Sequence, residues 1–210
     1  MKRRPNYRKR AHRYGLVPQY QGFQPRSFSR GEWKYLDVTF PAGITNAGNF
    51  VLLSGLVPGT GASQRIGMKI AIRSVEFRFE ANNNAASNLS QPVRCMLLQD
   101  RQPNGVAPAA LTDFITPGDY LGLRNLAQRK RFRMIMDRTK ELSMVGQQGD
   151  AWLVHKYMKF RRPLVVEYNA GVAGTIADIS TNSLYMVFLG DHAANYPALA
   201  GYCRIRYTDM

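Results

Sequence analysis

Cysteine is nearly absent: Cys95 and Cys203 are the only two in 210 residues, and neither stands in a CxxC pair or beside a histidine cluster. That excludes a disulfide framework or a zinc site as the organising feature and suits a reducing compartment. Histidine is as sparse. His12, His155 and His192 are scattered, and only His192 has a carboxylate neighbour, Asp191. No nucleophile with its base and orienting group is legible, and Ser54 and Ser143 lie outside any nucleophile elbow, so the chain is not read as an enzyme and no catalytic residue is expected. Gly59-Thr60-Gly61 and Gly67-Met68-Lys69 have the wrong spacing for a phosphate loop. Asp100, Asp113, Asp119 and Asp137 lack calcium-loop spacing, so neither a metal nor a cofactor is expected. No apolar run approaches the roughly 18 residues of a membrane span. The basic start is not followed by an apolar signal segment, so the expected protein is intracellular when made and does not insert in membranes. Without a secretory signal, the Asn88-Leu89-Ser90 sequon is read as chance.

The most informative absence is of negative charge. Residues 1–31 hold no Asp or Glu but nine cations: Lys2, Arg3, Arg4, Arg8, Lys9, Arg10, Arg13, Arg26 and Arg30. The stretch has almost no aliphatic residues, and Gly15 to Gly31 is rich in Gly, Pro, Gln and Ser. Such a segment cannot offset the entropy of ordering itself, so a disordered arm over 1–31 is expected. The remaining 20 basic and 14 acidic side chains give residues 32–210 a net charge of +6 out of the chain's +15. That portion, in a chain 45% hydrophobic, is long enough for one well-buried domain, 32–210.

The domain reads as all-β. Met68 to Ala81 is the clearest strand: Ile70 and Ile72 alternate with Lys69 and Arg73, then Val75, Phe77 and Phe79 alternate with Glu76, Arg78 and Glu80. The two apolar series are out of phase, which predicts a bulge at Arg73-Ser74. Further strands are expected at Trp33 to Phe40, Asn49 to Leu53, Val93 to Gln99, Arg131 to Leu142, Trp152 to Phe160, Leu164 to Tyr168, Ser183 to Gly190 and Tyr202 to Tyr207. Gly/Pro/Asn turns separate them, as in a double-sheet sandwich. Between Pro108 and Ala127 the looser apolar spacing predicts short helices in a long loop.

Cationic runs carry the functional reading. The arm's Lys2, Arg3, Arg4, Arg8, Lys9, Arg10 and Arg13 are interleaved with Tyr7, His12 and Tyr14, which suits sequence-independent binding of single-stranded nucleic acid through phosphate contact and base stacking. Lys2, Arg3, Arg4, Arg8, Lys9 and Arg10 also fit a nuclear import signal. Arg129, Lys130, Arg131 and Arg133 form a second candidate phosphate-contacting cluster. A third group, Lys156, Lys159, Arg161 and Arg162, is taken as a solvated face.

Several blocks resemble a known family: Gln64-Arg65-Ile66-Gly67-Met68-Lys69-Ile70-Ala71-Ile72-Arg73-Ser74; Val93-Arg94-Cys95-Met96-Leu97-Leu98-Gln99-Asp100; Gln128-Arg129-Lys130-Arg131-Phe132 with Asp137; and Arg206-Tyr207-Thr208-Asp209. In order and spacing they resemble the small single-jelly-roll capsid proteins of circular Rep-encoding single-stranded DNA viruses, circovirus-like in the broad sense, and the satellite tobacco necrosis virus capsid. The resemblance implies an eight-stranded jelly roll of two four-stranded sheets. It also implies a shell of about 60 copies with basic arms pointing inward onto a single-stranded genome. DNA is favoured as cargo because the Arg/Tyr-interleaved start resembles circovirus-like capsids. Virions, the host nucleus during assembly, host import factors and a cell-surface receptor follow as expected locations and partners. A coat protein of a single-stranded RNA satellite virus is the alternative, as is a basic nucleic-acid-binding protein that does not assemble.

Overall fold

Alternation of apolar and polar residues resolves into eight principal strands in the computed structural model, which describes residues 32–210 other than 85, 88, 146 and 147. The arm expected over 1–31, its disorder included, lies outside the described residues. The strands are β1 (Trp33–Thr39), β2 (Asn49–Leu52), β3 (Lys69–Asn82), β4 (Gln91–Asp100), β5 (Phe132–Leu142), β6 (Ala151–Tyr168), β7 (Ser183–Leu189) and β8 (Ala198–Asp209). They pair antiparallel in two sheets. One has the order β1-β8-β3-β6 with a short segment, Ile179–Thr181, added outside β6, and the other has the order β2-β7-β4-β5. The first strand thus pairs with the eighth, the second with the seventh, the third with the sixth and the fourth with the fifth. A single long antiparallel ribbon rolled upon itself gives this pattern, which is the jelly roll.

The predicted phase slip in β3 is present. Ser74 faces Arg206 of β8 and Lys159 of β6, whereas Ile72 faces Tyr207 and Leu164, so Arg73 is left over in both ladders. That extra residue lets Ile70, Ile72, Val75, Phe77 and Phe79 all point into the core despite the change of parity. The expected strands Trp152 to Phe160 and Leu164 to Tyr168 are one strand, β6, rather than two. Between Lys159 and Leu164 four residues, Phe160 to Pro163, stand opposite the single Arg73. Pro163 has no N–H to donate to a ladder, so the chain loops outward there and then resumes pairing.

The core lies between the sheets. Phe79 of β3 meets Phe188 of β7 edge-on at 5.2 Å between ring centroids, Trp152 at 5.4 Å and Phe40 at 6.3 Å. β4 and β7 are buried along their whole length, on both faces. Val93, Cys95 and Leu97 turn to the inter-sheet core, while Met96 and Leu98 turn the other way into a second cluster with Leu111, Phe114 and Ile115. The segment expected to be helical supplies that cover, and its form differs from the expectation. It contains one 3-10 turn, Leu111–Asp113, and a two-residue pairing of Ile115–Thr116 with Leu123–Arg124. Each apolar stretch is too short to close helical turns of its own, so it follows the sheet it covers.

Candidate nucleic-acid interface

Most of the residues in the resembling blocks hold the sandwich together. Asp100, with no solvent exposure, receives Arg131 in a two-point contact of 3.0 and 2.9 Å, and Arg94 grips Asp137 at 2.8 and 2.6 Å. Both pairs cross from β4 to the β5 side. The buried Lys34 of β1 binds Asp209 of β8 at 3.0 Å and the Gln64 carbonyl at 3.1 Å, and Asp209 also accepts from the Ile66 amide. Arg65 donates to the carbonyls of Leu56 and Gly171 and lies 4.4 Å from the Tyr168 ring centroid. Planar guanidinium groups meet carboxylates at two points at once, which fixes orientation as well as distance.

The remaining acids considered as metal ligands are separately employed. Asp113 accepts from the Ala109 and Ala110 amides, and Asp119 from the Leu121 amide. Among the described residues no three His, Cys, Asp or Glu side chains come together around a common point. Burial raises the thiol pKa of Cys203 to about 12 and pushes that of Cys95 up as well, so both cysteines act as small apolar core residues. His155 bonds to Glu76 at 3.2 Å on the open face of the β1-β8-β3-β6 sheet, and His192 bonds to its neighbour Asp191.

The second candidate cluster is split by the fold. Arg131 is held by Asp100 and lies over the Phe132 ring, and the hydrogen bond it donates to Asp100 raises its pKa. Its guanidinium is therefore a structural clamp first. Arg129 and Lys130 are exposed in the loop before β5, and Arg133 is exposed on β5 itself. Arg133 also meets residues that were expected to form a separate solvated face. With Gln99, Lys159, Phe160, Arg161, Arg162, Pro163, Leu164 and Val165 it lines a cleft of about 920 Å³ at the end of the sandwich. Four cations line this cleft and no acid does. Such a lining holds an anion, above all an extended polyanion. Lys2, Arg3, Arg4, Arg8, Lys9, Arg10 and Arg13 lie outside the described residues.

Lys159, Arg161 and Arg162 were missing from the nucleic-acid contacts expected from sequence, although Arg161-Arg162-Pro163 was a legible signal. Two adjacent arginines followed by proline interrupt strand alternation, and an interruption of that kind re-aims side chains.

A rolled eight-stranded sandwich of this connectivity defines a class, the single jelly rolls, to which viral coat proteins belong beside lectins and cupins. Within that class the chain belongs to the satellite tobacco necrosis virus coat protein family, whose model matches residues 32–210. It is also 26% identical over 182 residues to the coat protein of Maize white line mosaic Satellite virus, an alignment covering 85% of this chain and 81% of that relative. Of the two groups the sequence resembles, the match falls on the satellite side. The protein is a viral coat protein, a virion component with a structural rather than enzymatic role.

Proposed function

We propose that this coat protein assembles into a closed icosahedral shell of about 60 copies and packages a single-stranded genome through its N-terminal arm, with Arg129, Lys130 and Arg133 as further phosphate contacts. The observation that carries the reading is the arm itself: nine cations and no acid, attached to a domain of the coat-protein family. Repeated around a shell, such arms form a concentrated cationic lining that needs no base sequence. If a chain beginning at Gly31 packages as much nucleic acid per particle as the full chain, the arm does not have this role.

The expected preference for DNA came from likeness to circovirus-like capsids. The satellite-virus match supports the alternative held beside it, a satellite-type coat protein whose cargo is single-stranded RNA. Parallel DNase and RNase digestion of nucleic acid extracted from particles decides, and loss of the signal to DNase alone would sink the RNA reading. Before assembly, Lys2 to Arg10 would be free to act as a nuclear import address. A fluorescent protein carrying residues 1–31 should then concentrate in nuclei, and an even distribution through the cell would remove that role.

A further inference from the structure

The cationic cleft at the end of the sandwich is built by an irregularity in the fold. In a regular strand, adjacent residues point to opposite faces, so one of two neighbouring arginines would enter the core. In the outward loop of β6 both Arg161 and Arg162 are exposed, and Lys159 just before it is exposed too. Arg133 approaches from the other sheet, which makes the cleft a junction between β5 and β6. Elsewhere on the sandwich Arg78, Arg94, Arg131, Arg204 and Arg206 each face a carboxylate. Among the described residues none of the four cleft cations does. Their mutual repulsion is a cost that a bound polyanion reverses.

The rest of the lining is uncharged. Gln99 is nearly fully buried and donates from Nε2 to Asn182 at 2.9 Å, while its Oε1 has no hydrogen-bond partner among the described residues. Phe160, half-buried, gives the wall an aromatic surface beside the arginines, and this combination suits unpaired nucleotides.

We propose that this cleft is a second genome-binding site, on the folded domain itself, in which Arg133, Lys159, Arg161 and Arg162 hold the phosphodiester backbone of a single strand. The inference rests on the reading of the protein as a genome-packaging coat protein, and it adds a contact on the folded domain to the one proposed for the arm.

The experiment uses the full chain and a fluorescein-labelled twelve-nucleotide oligouridylate, followed by anisotropy across a salt series. Three variants are compared: the paired change Arg161→Gln/Arg162→Gln, an arm variant with Lys2, Arg3, Arg4, Arg8, Lys9, Arg10 and Arg13 all changed to Gln, and the two combined. Because both β6 arginines are exposed, the paired change should leave the thermal midpoint in place. The arm variant should keep salt-dependent binding. Adding the paired change should weaken it about tenfold and lower the slope of log affinity against log salt by about 2. If the paired change leaves affinity and slope unaltered in the arm variant, the cleft proposal is wrong, whatever the arm does. If instead the arm variant binds as well as the unaltered chain, the arm reading fails while the cleft proposal is still judged by the paired change. Inorganic triphosphate is the control competitor. Displacement by it at the same concentration as unlabelled oligouridylate would overturn the assignment to a strand and leave a simple anion site.

Discussion

Asp100 carries a charge where water does not reach, and Arg131 together with the Gln102 amide is what makes that tolerable. Removing one member of such a pair leaves the other buried without compensation, whereas removing both lets the site become apolar. Arg131→Met should therefore cost about 3–5 kcal/mol in urea unfolding, and the double change Asp100→Leu/Arg131→Met should cost less. A double variant less stable than the single one would show that the pair contributes net stability of its own. Glu76 is the second residue whose charge matters. Hydrogen bonds from Arg206, His155 and Arg78, in that order of weight, lower its pKa from the ordinary 4.5 to about 2. A carboxyl depressed in this way stabilises the fold fully above its ordinary pKa, and that contribution disappears as pH falls through the depressed value. Glu76→Gln should accordingly be less stable than the unaltered chain at pH 7, with the gap closing between about pH 4.5 and about pH 2. A gap that persists unchanged at pH 2 would mean that the side chain acts through packing instead.

At the scale of elements, Phe79 of β3 fastens the sheets through Phe188 of β7 and at the same time touches Trp152 of β6 in its own sheet and Phe40 just after β1. Phe79→Ala removes three edge contacts and opens a cavity in the centre of the core, an expected loss of about 3–5 kcal/mol by chemical denaturation. A loss below about 1 kcal/mol would show that the sheets close over the gap. The strands were legible because burial on one face writes itself into alternation, as in Val75, Phe77 and Phe79. The bulge at Arg73 was legible for the same reason, as a break in that alternation. β6 was harder. Its Phe160 to Pro163 loop looks locally like an end, and only pairing with β3 on both sides carries one strand through it. The cover over β4 and β7 was misread as helix because loosely spaced apolar residues fit either a helix or a chain that follows a sheet. The partner surface across space decides between the two, and it is not written in the local sequence.

At the scale of the whole molecule, charge is the organising quantity, and its two parts differ in how far sequence reveals them. The arm is visible in composition alone. The cleft is not, because Arg133 and Arg161 are brought together only when the ribbon rolls and β6 bulges against β5. Of the chain's +15, the arm supplies nine charges and the domain the remaining six. A strand held without base readout is limited by charge, so each subunit should package on the order of 15 nucleotides. Changing the seven cations from Lys2 to Arg13 to Gln removes almost half of the net charge and leaves the described sandwich untouched. Particles of that variant should hold about half as much nucleic acid per subunit, read from absorbance at two wavelengths together with particle mass. The same particles should form with normal dimensions, because the strand pairings and ion-pair clamps lie in residues 33–209. An unchanged nucleotide content would mean that genome length is set by the enclosed volume and not by charge, and it would shift the binding role from the arm to the folded domain.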